Sequence, residues 1–311
     1  MSFAQDVKKE LTVSPIANPE ANSELIALII LTGSIHIIDK HLVLELKTEN
    51  SPTSRRIYLL FKKIFNFEPT VVITRKNKLQ KNRQFILRII HEANQVLTKF
   101  RFSLDGNLTR AASIFTNNSE KKAGFLRGAF LATGSVNDPK QSSYHLEIAT
   151  QYREQARQIQ TIMKKLDFNA RITERRNGFI VYLKEAEKIS DFLQLLGATE
   201  SMLYFEDERI VRDMRNSVNR VVNCETANIN KTIAAAQRQI ENIKLIYRLK
   251  GDEDFPEQWR SVAELRLKYP TASTEELSKL MKNEMGENVS KSGVNYRLRK
   301  INSYAQRLME T

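Results

Sequence analysis

The eleven residues from Ser290 to Lys300 combine hydroxyl, amide and basic side chains, which are groups that contact nucleic acids. Four of the eleven are basic and none is acidic. Hydroxyl, amide and early basic groups suit phosphates and base edges, and later basic groups suit the flanking backbone. The competing interpretation is a basic helix face that is only solvated. The side chains expected to contact DNA are Thr274, Ser290, Lys291, Ser292, Asn295, Tyr296, Arg297, Arg299 and Lys300.

The segment around these residues has the pattern of a small all-α domain, residues 256–311. Pro256 opens one predicted helix, and a capping-box pattern at residues 273–276 opens a second. Gly286 marks a turn, and the last predicted helix begins at Ser290. This is the helix-turn-helix layout, in which the second helix enters the major groove. The sequence therefore predicts a C-terminal domain that binds double-stranded DNA.

A second group of basic residues lies on or beside predicted strands nearer the N-terminus. Residues 1–198 contain 30 Lys and Arg against 19 Asp and Glu, so they carry +11 of the total net charge of +13. This excess indicates a second DNA-contacting surface, and a solvated basic face explains it equally well. The candidates for that surface are Arg75, Lys76, Lys78, Lys81, Arg83, Arg88, Arg171, Arg175 and Arg176.

Two apolar helical stretches, residues 25–34 and 125–135, both end in Thr-Gly-Ser, and their Gly33 and Gly134 are 101 residues apart. Gly128 and Ala132 give the second stretch a face of small residues, which lets another helix backbone come close. After each stretch the strand and helix patterns follow the same order, αββαββα. The sequence predicts an α+β domain at residues 23–198, duplicated as copies 23–100 and 123–198.

The remaining segments and the composition limit the possible functions. Residues 1–22 are predicted to form an N-terminal helix and a loop, and residues 199–250 a helical linker. The single cysteine allows no intrachain disulfide, and four scattered histidines give no zinc-site spacing, so we expect no metal or cofactor. No apolar run reaches the length of a membrane span. A pI of about 9.7 favours a polyanionic partner, and we expect a cytoplasmic protein associated with the nucleoid.

The duplicated domain resembles the LAGLIDADG homing endonucleases. In that family each motif helix delivers an acidic residue just before its final glycine, and these acids hold divalent metal ions for phosphodiester cleavage. The corresponding residues of this chain are Thr32 and Thr133, whose neutral hydroxyls do not replace carboxylates. Asp39 and Asp138 follow the helix ends and are poorly placed to compensate. The resemblance therefore implies a retained fold without catalysis.

The whole chain is similar to the bacterial WhiA family, on the segments SFAQDVKKEL, FLRGAFLATGSVNDP, YHLEI and SKSGVNYRLRKI. The resemblance implies a DNA-binding regulator, either of sporulation transcription or of cell division and chromosome segregation. It also implies a protein partner in the division or transcription machinery. Two alternatives stay open: a metal-dependent LAGLIDADG-type endonuclease, and a protein-interaction scaffold that binds DNA weakly.

Overall fold

The computed structural model describes residues 2–39, 41–77, 80–102, 117–251 and 255–310, with the side chains of residues 75–82 excepted. The chain forms two compact units, residues 1–212 and 213–311. After helix α1 (Phe3–Val13), the first copy of the repeat consists of α2 (Asn18–Thr32), β1 (Gly33–Ile38), β2 (His41–Thr48), α3 (Ser51–Phe65), β3 (Thr70–Asn77), β4 (Gln80–Ile89) and α4 (Ala93–Lys99).

The second copy has the same order of elements, which confirms the predicted αββαββα duplication. It consists of α5 (Ser119–Thr133), β5 (Gly134–Val136), β6 (Leu146–Thr150), α6 (Arg153–Lys164), β7 (Arg171–Arg175), β8 (Gly178–Leu183) and α7 (Ala186–Leu196). Each copy forms a four-stranded antiparallel sheet, ordered β1-β2-β4-β3 in one and β5-β6-β8-β7 in the other. The two sheets therefore share one topology.

Helices α2 and α5 pack against each other and form the centre of the first unit; we call this contact the seam. Residues 25–30 of α2 are buried on every side, and so are residues 123–131 of α5. An added Cβ atom would lie 2.2 Å from the Glu24 carbonyl oxygen at Gly128, and 2.7 Å from the Glu20 carbonyl oxygen at Gly124. The predicted close approach at Gly128 is confirmed, and Gly124 extends it by one turn.

The start of one seam helix differs from the sequence-based expectation. Helix α2 begins at Asn18 rather than at Ser23, because Pro19 fits the first turn of a helix, and Ser23 is buried in the helix interior. Gly33 and Gly134 end α2 and α5, as predicted, and their backbones are extended. Glycine is needed at Gly33 because a Cβ atom would lie 2.3 Å from the carbonyl oxygen of Ile29.

Buried charges join the seam helices to their neighbours. The Arg56 guanidinium of α3 donates to both carboxylate oxygens of Glu24, at 2.7 and 3.0 Å, and both side chains are 1% exposed. Arg127 of α5 donates to Glu20 at 2.5 Å and to the Leu196 carbonyl at 2.7 Å. These contacts hold α2, α3 and α5 in one arrangement, because each buried charge has a partner.

Helix α1 packs on the first unit through Phe3, Val7 and Leu11, the three residues that its four-residue spacing predicts to be buried. Residues 199–250, predicted as a helical linker, form the single helix α8 (Thr199–Lys250). The Glu10 carboxylate accepts hydrogen bonds from the backbone N–H groups of Glu200 and Ser201, at 2.7 and 2.9 Å. A side chain of α1 therefore caps the start of α8.

The second unit contains the C-terminal part of α8 with helices α9 (Glu257–Lys268), α10 (Thr274–Met285) and α11 (Lys291–Glu310). Its core is apolar and contains Phe255, which lies between α8 and α9, together with side chains from all four helices: Ile243, Ile246, Val262, Leu265, Leu277, Met281, Val294, Leu298, Ile301 and Ala305. The predicted all-α C-terminal domain is therefore confirmed. Among the described helices, none has both the length and the apolar content that a bilayer span requires.

Candidate nucleic-acid interface

Helix α10 is fixed at both ends by local hydrogen bonds. The Ser273 hydroxyl accepts from the Glu276 backbone N–H at 3.2 Å, and the Glu276 carboxylate accepts from the Ser273 N–H at 2.7 Å. This is the capping box that the sequence predicted. Gly286 ends the helix with a φ of 70°, a left-handed conformation that suits glycine. These caps define the turn that leads into α11.

Helix α11 begins directly after Ser290, whose hydroxyl accepts from the Gly293 N–H at 3.2 Å. One side of α11 is buried in the core of the unit through Val294, Leu298 and Ile301. The opposite side is exposed and carries other side chains of the predicted DNA-binding set: Lys291, Ser292, Tyr296, Arg299 and Lys300. These side chains share a surface because exposed positions recur about every 3.6 residues.

Several members of the predicted set already have partners within the unit. Arg297 donates to the Glu287 carboxylate at 2.7 Å, and the Ser261 hydroxyl also donates to that carboxylate. These two hydrogen bonds, from Ser261 first and Arg297 second, hold the pKa of Glu287 below its usual value. Arg297 therefore joins α11 to the preceding turn. It is only partly available to a ligand, since it is half-buried.

The other predicted residues differ in exposure and in contacts. The Lys291 ammonium lies 3.4 Å from the Glu275 carboxylate, and both side chains are well exposed. The Lys300 ammonium lies 5.5 Å from the centre of the Tyr296 ring. Thr274 and Asn295 are half-buried. Arg299 is exposed, and no described carboxylate forms an ion pair with it, so it is the arginine of α11 best placed to bind a phosphate or a base edge.

Two residues of the predicted second basic surface lie on opposite faces of the first sheet. Arg83 and Arg88 lie five residues apart on β4, so they point to opposite faces of the sheet. Arg88 is opposite Glu45 in the β2–β4 register and lies 2.7 Å from its carboxylate. Burial opposes ionisation of Glu45, but hydrogen bonds from Arg88 and Lys47 hold the pKa of Glu45 below its usual value.

The second copy also pairs a glutamate of its second strand with an arginine, although this arginine lies on β7 and not on β8, the equivalent of β4. Arg175 lies 3.7 Å from the Glu147 carboxylate, and Glu147 occupies in β6 the position that Glu45 occupies in β2. Each sheet therefore places a glutamate against one of its arginines, which reduces the positive charge available to DNA. Arg83, Arg171 and Arg176 are exposed; Arg75, Lys76 and Lys81 belong to β3 and β4 by their backbones; and Lys78 lies outside the described residues.

Thr32 and Thr133 are the last residues of the two seam helices, as predicted. The Thr32 hydroxyl donates to the Leu28 carbonyl at 2.7 Å, and the Thr133 hydroxyl donates to the Ala149 carbonyl at 2.6 Å. Both threonines line a cavity of about 1160 Å³ at the ends of the seam. Their hydroxyl hydrogens are thus already used within the protein.

The donor set at this cavity does not fit a divalent metal ion. Such ions prefer several charged carboxylate oxygens, whereas the two threonines are neutral and only two carboxylates, those of Glu49 and Glu154, are among the described residues that line the cavity. Within the described ranges, no group of three or more His, Cys, Asp and Glu side chains is arranged to hold a metal ion. Asp39 lies in the β1–β2 turn and Asp138 in the loop after β5, and neither lines the cavity.

Sequence reasoning missed three charged residues that shape these surfaces. Glu45 and Glu147 stand at the same position of the matching segments LELKT and LEIAT, so comparing the two copies position by position would have identified them. Lys8 lines the seam cavity from α1. Its helical position, three residues before Leu11 and four after Ala4, places it beside the buried side of α1, whereas Lys9 is exposed.

A duplicated LAGLIDADG-like α+β domain followed by a helix-turn-helix domain defines the class of this protein. The family model of the WhiA N-terminal LAGLIDADG-like domain matches residues 18–103, and that of the WhiA LAGLIDADG-like domain matches residues 122–215. The model of the WhiA C-terminal HTH domain matches residues 218–305. Since these matches cover most of the sequence, the chain belongs to the WhiA family.

Individual relatives agree with this assignment. The proteins named probable cell division protein WhiA from Enterococcus faecalis and Limosilactobacillus reuteri are 47% and 49% identical to the chain. The alignments cover 100% and 99% of this chain, and 99% and 98% of the relatives. The crystal structure of full-length DUF199/WhiA from Thermatoga maritima matches with a TM-score of 0.60 at 27% identity, covering 99% of each chain.

Proposed function

We propose that this protein is a DNA-binding regulator that acts in cell division, chromosome segregation or transcription, rather than an enzyme. The observation that carries the proposal is the exposed side of α11, where Ser292, Tyr296 and Arg299 project from a helix-turn-helix domain. Helix-turn-helix proteins place this second helix in the major groove. The name of the relatives, probable cell division protein, supports the cellular role.

In this proposal the side chains of α11 have different tasks. Arg299, exposed and unpaired among described residues, contacts a base edge or a phosphate. Tyr296 and Lys300, whose side chains are in contact, bind the adjacent phosphate backbone of the DNA. Arg297 and Ser290 act mainly inside the domain, because each is engaged in a hydrogen bond that fixes the start of α11 or the turn before it.

The test compares genome-wide DNA occupancy of the wild type with that of Arg299→Ala. We expect the sites occupied by the wild type to be lost in the variant at equal protein abundance. Arg220→Ala is the matched control, since Arg220 is an exposed arginine of α8 and belongs to neither α10 nor α11. Unchanged occupancy in Arg299→Ala would overturn the proposal and would favour the protein-interaction scaffold.

Purified protein provides a second readout of the same contact. A plot of log affinity against log salt concentration has a negative slope, and loss of one phosphate contact should make that slope less steep by about 0.9. A loss of affinity on one DNA sequence only, with an unchanged slope, would instead assign Arg299 to a base edge. An affinity and slope equal to those of Arg220→Ala on every sequence would contradict both roles.

A further inference from the structure

A cleft of about 610 Å³ lies next to the cavity at the ends of the seam. Lys8 of α1 and Arg83 of β4 line it, together with Ser51 of α3 and Ser135 of β5. Glu49 is the one acidic residue among the described side chains that line this cleft. Lys8 also lines the seam cavity, so its ammonium group is shared by the two spaces.

Helix α1 holds Lys8 in a fixed place. Val7 and Leu11 on either side of Lys8 are fully buried against the first unit. Glu10, two residues further on, accepts three hydrogen bonds from the start of α8, including one from the Ser201 hydroxyl at 2.6 Å. The backbone that carries Lys8 is therefore anchored on both sides, which fixes the point from which its side chain reaches the cleft.

The Lys8 ammonium is mostly buried without a negative partner among the described residues. Burial alone lowers the pKa of Lys8 to about 8, and no carboxylate counteracts it. The nitrogen lies 6.0 Å from the centre of the Phe130 ring, a weak compensation for lost water. Removing a cation from water is unfavourable unless a counter-charge is present, so a bound anion would stabilise this side chain.

Arg83 supplies a second positive charge at the same cleft. It is exposed, and no described carboxylate forms an ion pair with it. A guanidinium group binds phosphate oxygens through parallel hydrogen bonds, and the hydroxyls of Ser51 and Ser135 add further donors. An ammonium, a guanidinium and two hydroxyls match the several oxygens of a phosphate group better than a single carboxylate.

We propose that this cleft is a phosphate-binding site in which Lys8 and Arg83 hold the phosphate oxygens without a metal ion. The phosphate belongs either to the backbone of bound DNA or to a free phosphorylated molecule. No bond is formed or broken, since the site only binds. It lies in the first unit, so it goes beyond the contact proposed for α11.

The test uses the full-length protein in EDTA and replaces Lys8 with methionine. Lys8→Met keeps an unbranched side chain of similar length and removes the charge. Lys9→Met is the matched control, because Lys9 is the exposed neighbour on the same helix. Calorimetric titration with inorganic phosphate tests whether the cleft binds a free phosphate. The salt dependence of binding to duplex DNA tests whether the cleft binds a phosphate of the DNA backbone.

Each source gives its own result. For a free phosphate, Lys8→Met should weaken phosphate binding about tenfold, as loss of one charged hydrogen bond implies. For a DNA phosphate, the salt slope should fall by about 0.9 in Lys8→Met and stay unchanged in Lys9→Met. Lys8→Arg should restore either signal, which shows that a lost signal reflects charge rather than misfolding.

The proposal is overturned if Lys8→Met and Lys9→Met are indistinguishable in both titrations while circular dichroism shows both folded. Arg299→Ala is measured in parallel. If Arg299→Ala weakens DNA binding and Lys8→Met changes nothing, the cleft proposal fails and the function proposed for α11 stands.

Discussion

A Cβ atom on Gly128 would lie 2.2 Å from the carbonyl oxygen of Glu24. The obstructing atom belongs to the backbone of α2, so it cannot be displaced by rotating a side chain. The same added atom would lie 3.0 Å from the Ala27 Cβ. The two copies of the repeat are therefore held at a separation that depends on the absence of a side chain.

We predict that Gly128→Ala destabilises the first unit. Alanine favours helix over glycine by about 1 kcal/mol, but overpacking of a tight interior costs about 1–3 kcal/mol and more where a backbone must move. The clash should therefore outweigh the gain in helix propensity. Urea unfolding followed by circular dichroism measures the change in unfolding free energy.

Gly293→Ala is the control for this experiment. Gly293 is also in a helix, but the nearest atom to its added Cβ is a methyl group of Val289, at 2.7 Å, which a rotation can move. We expect little change in stability there. A Gly128→Ala protein as stable as the wild type would show that the seam can widen at small cost.

We predict that Glu24→Gln destabilises the first unit more than any surface substitution. The glutamine keeps the shape of the side chain but removes the charge facing the fully buried Arg56. Leaving a buried charge without its partner costs about 3–5 kcal/mol. Chemical unfolding at neutral pH measures this loss.

Glu68→Gln provides the comparison, because Glu68 forms an exposed ion pair with Lys62 at 2.6 Å. Exposed ion pairs contribute little to stability, so the denaturant concentration at the midpoint of unfolding should barely change. Equal effects of the two substitutions would mean that the Glu24–Arg56 pair is not desolvated in solution.

We predict that acid weakens the second unit through Glu287. The pKa of Glu287 is lowered in the folded protein by its hydrogen bonds from Ser261 and Arg297. A group with a lowered folded pKa contributes stability above its unfolded pKa and loses that stability as the pH falls through the folded pKa. The unfolding midpoint should therefore drop between about pH 5 and pH 3.

The single tryptophan, Trp259 of α9, reports this transition by fluorescence. Glu287→Gln should lose less stability over the same pH range. Glu310 is exposed near the end of α11, so Glu310→Gln should lose as much stability as the wild type. A Glu287→Gln protein with the full acid sensitivity of the wild type would assign the effect to other carboxylates.

We predict that the protein does not nick supercoiled plasmid in the presence of Mg²⁺ or Mn²⁺. The expectation rests on the neutral Thr32 and Thr133 hydroxyls, which donate to main-chain carbonyls at the ends of the seam. Gel electrophoresis of the plasmid is the measurement. Metal-dependent nicking that disappears in Asp39→Asn or Asp138→Asn would contradict this and would restore the endonuclease alternative.

The sequence predicted most of the fold because the repeat is visible twice. The strand and helix patterns follow the same order in both copies, and Thr-Gly-Ser located the ends of the seam helices. The start of α2 was missed since two prolines nearby suggested a loop. Pro19 instead occupies the first turn, where its missing N–H has no helical partner to lose.

The candidate sites were less predictable because residue types do not reveal partners. Arg297 and Arg299 are two residues apart in sequence, yet one is bound to Glu287 and the other is exposed. Arg83 and Arg88 both counted as basic strand residues, although they face opposite sides of β4. The contacts that separate these roles are long-range, and they arise only once the helices and sheets have packed.

The packing of α2 against α5 also affects the order of events during synthesis. Thr32 and Thr133 are 101 residues apart in the sequence, so a ribosome adding about 5–20 residues per second completes α5 roughly 5–20 s after α2. Throughout that interval the apolar side of α2 lacks the helix that covers it in the finished protein. The nascent first copy therefore exposes apolar surface that only the second copy covers.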